Sequence, residues 1–371
     1  MKIPYINLKA QHKKLKREIL AAVSKTLERA DFILGKEVSL FEQRAAHYCD
    51  TKYAVGVNSG TDALFLAMKS LGLKDDDEVI TVPNSFLSTT SSIITAGLKP
   101  VFVDVREDMN IDPDLISEKI TRKTKAILLV HLTGKTADMH PIMETAKKYN
   151  LYIIEDAAQS LGAEYRGKRV GSFGTFGCFS LHPLKTLNAC GDGGFITTGD
   201  KKLYQKLIRL RNIGLKNRNE SPQWGYNSRL DTMQAAILNV KFKYLDRWIE
   251  GRRKVAKYYI KNLSDMNGFV KTPEENSHEK CVYHTFIIRA EKRGRLQTYL
   301  AKNGIETKIH YPLPIHMQRA AKPLGYKKGA FPVTERLAGE ILSLPVYPEL
   351  TEKQLDYIVD KIRKFYLDFS G

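Results

Sequence analysis

The sequence predicts an α/β protein with a mostly parallel central sheet flanked by helices, followed by a smaller C-terminal α+β domain. Between residues 53 and 155, short apolar runs alternate with amphipathic segments, as in strands joined by helical crossovers. From about residue 241, a few strands stand among longer helices. With 371 residues, 43% of them hydrophobic, the chain is long enough to bury two unequal cores.

The elements follow in order along the chain. A helix is expected over 10–30, where apolar residues recur at three- to four-residue spacing, and a second over 38–48. Strands are expected at 53–57, 78–82, 99–103, 126–131, 151–155, 178–180 and 194–198, with helices between them at 60–68, 140–149 and 201–211. A long helix over 231–252, a strand over 283–289 and helices over 294–303 and 352–369 complete the order.

These elements suggest three parts. They are an N-terminal helix (1–35) that packs with the small domain, a large α/β domain (36–240) and a small α+β domain (241–371). The polar segment 217–226, with Gly and Pro nearby, is expected to be a mobile or interface-forming loop.

Charge and cysteine content narrow the classes of function. Lys and Arg outnumber Asp and Glu by 59 to 41, a net charge of +18 that favours anionic partners. The basic residues are dispersed, without zinc-finger spacing or an RRM-like aromatic pattern, so we expect no nucleic-acid binding. The four cysteines form no C-x-x-C pair, which argues against a zinc site and a disulfide framework, and we expect no metal site.

Membrane association is not expected either. No run approaches the ~20 consecutive apolar residues of a transmembrane helix. The N-terminus lacks the basic and apolar regions of a secretory signal, so a cytoplasmic location is expected.

Three motifs follow predicted strands. Asn58-Ser-Gly-Thr-Asp62 places a glycine at a helix N-terminus, which suits a phosphate, although an ordinary helix cap needs the same residues. Glu155-Asp156 ends an apolar strand, and a buried carboxylate there needs a cation such as a protonated pyridine nitrogen; a helix cap or a magnesium ligand is the alternative. Lys185 lies between a strand and a glycine-rich turn, where a lysine near a cationic ring has a lowered pKa and reacts as a neutral amine. Taken alone, it is equally a surface lysine.

Two further motifs are less specific. Gly225-Tyr-Asn-Ser-Arg229 reads by default as a turn and helix cap. His310-Tyr-Pro-Leu-Pro-Ile-His316 lacks a carboxylate or thiol that would complete a metal site. It fits either a rigid loop that offers donors to sugar hydroxyls or a structural loop.

Taken together, the motifs resemble the pyridoxal-phosphate-dependent nucleotide-sugar aminotransferases of the DegT/StrS family, which have the type I aminotransferase fold. The resemblance covers nearly the whole chain. It includes Phe32-Ile-Leu-Gly35, Asn58-Ser-Gly-Thr-Asp-Ala-Leu64, Glu155-Asp-Ala-Ala-Gln159, Gly191-Asp-Gly-Gly194, Asn227-Ser-Arg-Leu-Asp231, Gln234-Ala-Ala-Ile-Leu238, His310-Tyr-Pro312 and Leu342-Ser-Leu-Pro345.

The resemblance implies a role for each matched residue. Lys185 would bond to the cofactor and move protons, and Asp156 would pair with the pyridine nitrogen. The remaining contacts to pyridoxal 5'-phosphate, or to its aminated form pyridoxamine 5'-phosphate, would come from Gly60, Thr61 and Ser180 at the phosphate, Phe86 and Gln159 at the ring, and Asn227 of a second subunit. The sugar would be bound by His182, His310 and Tyr311.

The implied reaction is a ping-pong transfer from L-glutamate to a keto group of a nucleotide-diphosphate keto-deoxyhexose, by a homodimer whose subunits share active sites. Overall similarity favours a dTDP-3-keto-6-deoxy sugar. His182 stands where many relatives have Tyr, and Thr133-Gly-Lys135 where many have Tyr-Gly-Gln, which bears on substrate identity. Alternatives are another type I enzyme such as a lyase, or a cofactor-binding regulator without turnover. Relatives that act as dehydratases have His in place of Lys185.

Overall fold

The computed structural model describes residues 1–266 and 268–367. Its strands are β1 Tyr53–Val57, β2 Glu78–Thr81, β3 Lys99–Phe102, β4 Thr124–Val130, β5 Tyr152–Asp156, β6 Glu164–Tyr165, β7 Lys168–Arg169, β8 Phe176–Ser180, β9 Gly194–Thr198, β10 Val270–Lys271, β11 Glu279–Lys280, β12 Phe286–Ala290 and β13 Ile341–Leu344. Its helices are α1 Leu8–Arg29, α2 Lys36–Tyr48, α3 Gly60–Leu71, α4 Leu87–Thr95, α5 Met139–Tyr149, α6 Lys201–Leu210, α7 Thr232–Phe242, α8 Leu245–Leu263, α9 Arg293–Lys302, α10 Pro332–Glu340 and α11 Glu352–Leu367.

The central sheet has seven strands in the order β1-β9-β8-β5-β4-β2-β3. Strand β9 runs antiparallel to both of its neighbours, and the other pairings are parallel. This confirms the predicted α/β class and the mostly parallel sheet. In such a sheet the loops after the strands converge at the carboxyl edge, which is where open α/β proteins bind ligands.

Alternating side chains of each central strand supply the cores on the two faces of the sheet. In β4, Ile127 and Leu129 join a cluster with Ile142 of α5, whereas Ala126 and Leu128 join a cluster with Leu66 of α3. Successive strand residues point to opposite faces, so an apolar run can serve two helical layers. Both faces of the sheet are therefore covered.

The C-terminal part has its own core. The antiparallel sheet β10-β12-β13 packs with α8, α9 and α11 in one cluster. Ile3 joins this cluster and pairs with Ile305, while α1 itself contacts α7. The boundaries at 35/36 and 240/241 stay predictions.

Three expectations need correction. The single helix predicted over 231–252 is wrong, because the chain turns at Tyr244, whose phenol bonds Glu18 of α1, and continues as α8 into the small domain. The strand predicted from 283 begins at Phe286, since Tyr283 adopts a positive φ of 46°. Helix α10 and strand β13 were not predicted. At the break between α7 and α8, a tertiary contact accompanies the departure from the local pattern.

The final helix is described to Leu367, and the last two residues predicted for it lie outside the described residues. Within 1–266 and 268–367, no helix combines the length and the apolar character needed to cross a membrane.

Candidate active site

A cavity of about 290 Å³ lies at the carboxyl edge of the central sheet. Loops after four strands of the sheet and a segment of the small domain line it. The sequence-predicted residues that it brings together are Gly60, Thr61, Phe86, Asp156, Gln159, Ser180, His182, Lys185, His310 and Tyr311.

One end of the cavity is shaped for an anion. Helix α3 begins at Gly60, so its first backbone N–H groups and the positive end of its dipole face the cavity. A Cβ added at Gly60 would lie 2.6 Å from Ser180 Cβ, which means that only glycine lets the helix approach Ser180 this closely. Thr61 Oγ1 donates to Ser88 Oγ at 2.9 Å. These groups fit a phosphate.

Asp156 is buried at the end of β5. Its Oδ2 accepts a hydrogen bond from Thr89 Oγ1 at 2.8 Å, and its Oδ1 accepts one from Ala158 N–H at 3.2 Å. Burial raises the pKa of this carboxyl, against the opposing effects of these hydrogen bonds and of the Lys185 charge. A carboxylate held this way is stabilised by a cation in the cavity, such as a protonated ring nitrogen.

The neighbouring acid has a different role. Glu155 points to the other face of the sheet, where its carboxylate accepts N–H bonds from residues 171, 173 and 174 at 2.7–2.8 Å. His131 Nε2 lies 3.1 Å from Glu155 Oε2, and both side chains are fully buried. Glu155 is therefore structural, and Asp156 alone of the pair reaches the cavity.

Lys185 faces Asp156 across the cavity. Burial lowers the pKa of Lys185 to about 8, although the charge of Asp156 acts in the opposite direction. The backbone N–H of Lys185 donates to His182 O at 2.8 Å, and its carbonyl accepts from Asn188 Nδ2 at 3.0 Å. The loop thus holds a lysine whose neutral fraction near neutral pH is much larger than that of an ordinary lysine.

Gln159 and two aromatic rings frame the middle of the cavity. Gln159 Oε1 accepts from Thr133 N–H at 2.8 Å, and its Nε2 donates to Tyr311 OH at 3.2 Å. The centroids of the Tyr311 and Phe86 rings lie 5.7 Å apart. Phe86 is 55% exposed, as expected for a side chain at the cavity mouth. A flat ring fits in the space bounded by Gln159, the two aromatic rings, Asp156 and the anion-binding end of the cavity.

Three imidazoles line the side of the cavity near Lys185, and all have lowered pKa values. Burial and the charges of Lys185 and Lys308 lower the pKa of His310 to about 4. Burial and the Lys185 charge also lower the pKa of His182. Burial and the charges of Lys185 and Arg252 lower the pKa of His284 well below its usual range. This wall is therefore uncharged at neutral pH.

Asn227 does not reach this cavity in its own chain. It is exposed and pairs with Asn212 in an isolated antiparallel bridge. Sequence reasoning missed Ser88, Thr89 and His284, all of which line the cavity. The run of hydroxyl residues that begins at Ser88, soon after a predicted strand, was a usable signal for the first two.

Comparisons with known proteins agree with the site's geometry. The model of the DegT/DnrJ/EryC1/StrS aminotransferase family matches residues 13–363. A "Pleiotropic regulatory protein" of Geobacillus stearothermophilus is 45% identical, with 100% of both chains covered. A dTDP-3-amino-3,6-dideoxy-alpha-D-galactopyranose transaminase of Aneurinibacillus thermoaerophilus is 41% identical, covering 98% of this chain and 99% of that protein.

A solved structure is equally similar. The crystal structure of Streptomyces venezuelae DesV in complex with a ketimine intermediate has a TM-score of 0.96 and 39% identity, with 98% of each chain covered. These matches confirm the resemblance seen in the sequence. The chain therefore belongs to the DegT/DnrJ/EryC1/StrS aminotransferase family and has the type I aminotransferase fold.

Proposed function

We propose that this protein transfers the amino group of L-glutamate to a keto group of a nucleotide-diphosphate sugar, with a dTDP-3-keto-6-deoxyhexose favoured. The observation that carries the proposal is that Lys185 and Asp156 meet in one cavity beside the N-terminus of α3. The names of relatives that act on dTDP- and UDP-linked 3-amino sugars support the substrate class.

The residues present fit pyridoxal 5'-phosphate, the cofactor on which this family depends. Gly60, Thr61 and Ser180 would hold the phosphate, and Asp156 the pyridine nitrogen. Phe86 and Gln159 would face the ring. When bound, the cofactor supplies an electrophilic carbon and an electron sink for the developing carbanion.

Lys185 supplies the proton transfers in this proposal. With a pKa of about 8, about half of its amine is neutral at pH 8, whereas an ordinary lysine is almost entirely charged there. Its Nζ would take the proton from Cα of L-glutamate and, in the second half-reaction, return a proton to the sugar carbon that receives the amine. Because both substrates would react beside Lys185, the donor and the sugar would use the cavity in turn, which is a ping-pong order.

The sugar would lie against the uncharged wall. His182, His310 and Tyr311 offer neutral donors and acceptors, which suit hydroxyl groups. The net charge of +18 is compatible with a diphosphate group arriving at the cavity.

A homodimer completes the proposed site. Asn227 is exposed on its own chain, so it is free to reach the phosphate end of a partner's cavity, as the family likeness implies. Because the proposed substrates are nucleotide sugars, we propose that the protein is located in the cytoplasm.

The direct test follows the nitrogen. The protein is incubated with pyridoxal phosphate, L-[¹⁵N]glutamate and a panel of dTDP- and UDP-linked 3-keto sugars, and mass spectrometry records ¹⁵N in the sugars. We expect label in at least one sugar with the wild type and none with Lys185→Ala. If no sugar is labelled by the wild type, the proposal is wrong.

A regulator without turnover is the second candidate, favoured by the relative from Geobacillus stearothermophilus that is named "Pleiotropic regulatory protein". The same experiment separates the two, since a regulator would bind cofactor or sugar without transferring nitrogen.

A further inference from the structure

His284 belongs to the uncharged wall of the cavity, but the proposal above assigns no hydrogen bond to its side chain. Its Nδ1 is buried, and no described residue forms a hydrogen bond with either ring nitrogen. A polar group withdrawn from water without a partner is unfavourable and rare in folded proteins. The other ring nitrogen, Nε2, is not buried in this way and also has no partner among the described residues, so it is the nitrogen that a ligand in the cavity can bond.

The backbone around His284 is held in an unusual conformation. Tyr283 has a positive φ of 46°, which is uncommon for an aromatic residue, and β12 therefore starts only at Phe286. On the C-terminal side of His284, Thr285 N–H donates to Thr133 O at 3.2 Å. The N–H of the same Thr133 donates to Gln159 Oε1. Strained backbone that the surroundings hold in place is typical of functional sites.

A buried arginine fixes this conformation. Arg252 Nη1 donates to the carbonyls of Val346 at 2.6 Å, His284 at 3.1 Å and Tyr283 at 3.4 Å. Among the described residues, no carboxylate forms a salt bridge with Arg252, and its hydrogen bonds go to the carbonyls of Tyr283, His284 and Val346. All three bonds start from Nη1, which carries two N–H groups, so at least one N–H is shared between two carbonyls.

The chemistry of the imidazole selects its partner. In a neutral imidazole, Nε2 is either a donor or an acceptor, and a hydroxyl group can bond it in both forms because a hydroxyl both donates and accepts. A carboxylate of L-glutamate accepts only, and it would be bonded better by a cation. We propose that His284 is a substrate-binding residue that hydrogen-bonds a hydroxyl of the nucleotide-linked sugar, and that Arg252 is the positioning residue for it. This inference rests on the proposed function.

The experiment compares two amines on the same enzyme. The visible band of the lysine-bound cofactor is bleached in one series by L-glutamate and in another by an amino sugar. The amino sugars tested are dTDP-3-amino-3,6-dideoxy-α-D-galactopyranose and, separately, related dTDP- and UDP-linked 3-amino sugars. The best amino sugar of the wild type is then used throughout. The readout is the ratio of the half-saturating concentrations of amino sugar and L-glutamate.

We expect His284→Leu to raise this ratio about tenfold, the effect of one lost hydrogen bond. His284→Gln and His284→Asn each keep a polar group near one ring-nitrogen position, and at least one should restore part of the loss. His278→Leu is the matched control, because that ring is exposed and contacts Tyr165 outside the cavity. It should leave the ratio unchanged.

Three outcomes overturn the inference. The first is an unchanged ratio in His284→Leu. If His284→Leu does not fold, the second is an unchanged ratio in both His284→Gln and His284→Asn. The third is a wild type that is bleached by L-glutamate but by no amino sugar, which removes the substrate class as well. A wild type that does not respond to L-glutamate instead refutes the proposed function at its first half-reaction.

Discussion

Substituting Gly60 by alanine tests the anion end of the cavity. In a helix, alanine is normally more stable than glycine by about 1 kcal/mol. Here the new Cβ would lie 2.6 Å from Ser180 Cβ and 3.0 Å from Ser180 Cα. Carbon atoms pack at about 3.5–4.0 Å, so the start of α3 and Ser180 must separate by about 1 Å. The backbone N–H groups of α3 would then leave the phosphate position.

The expected loss is that of one hydrogen bond to a charged group, about 2 kcal/mol, or about 30-fold in cofactor affinity. Absorbance titration of the cofactor-free protein with pyridoxal phosphate measures it. Gly339→Ala is the matched control, since Gly339 lies in α10 and a Cβ there has no atom within 4 Å. Equal affinities in the two variants would refute the reasoning.

Four further predictions follow from the charged groups of the protein. In the cofactor-free protein, the rate at which pyridoxal phosphate bonds to Lys185 should rise with pH, with a midpoint at about 8, because only the neutral amine reacts. In Asp156→Asn this midpoint should move to lower pH, since the Asp156 charge raises the pKa of Lys185. A midpoint near 10 in either protein would contradict the lowering of the Lys185 pKa by burial. Glu155→Gln should lower the free energy of unfolding in urea by about 3 kcal/mol, because an amide cannot accept all the bonds that the buried carboxylate accepts, and a loss below about 1 kcal/mol would contradict its structural role. The apparent Michaelis constant for the nucleotide sugar should rise with salt, and a flat response would exclude electrostatic attraction of the diphosphate.

The sequence predicts the part of the site that follows strand ends. Gly60, Asp156 and Lys185 each come soon after an apolar run, and parallel strands bring such positions to one edge. Periodicity and local motifs suffice for them. Only the whole set of motifs predicts that these residues bind a cofactor, because each motif alone also fits a helix cap or a surface residue.

The rest depends on tertiary packing. Thr89 bonds Asp156 only because α4, which packs against α3 and β3, brings it to the end of β5, and no local pattern states this distance. His284 reaches the cavity through a positive φ at Tyr283 and the hydrogen bonds of Arg252, from a segment whose sequence reads as ordinary strand. The turn at Tyr244 likewise depends on a bond to Glu18, more than 200 positions away in the chain. Such contacts override local propensity.

The central claim is that Lys185 and Asp156 perform the first half of an amino transfer. The visible spectrum of the purified protein with pyridoxal phosphate, recorded before and after L-glutamate is added, tests it most directly. We predict a band from the lysine-bound cofactor that L-glutamate bleaches in the wild type, and no such band in Lys185→Ala. A wild-type protein that shows neither the band nor a response to L-glutamate would contradict the account.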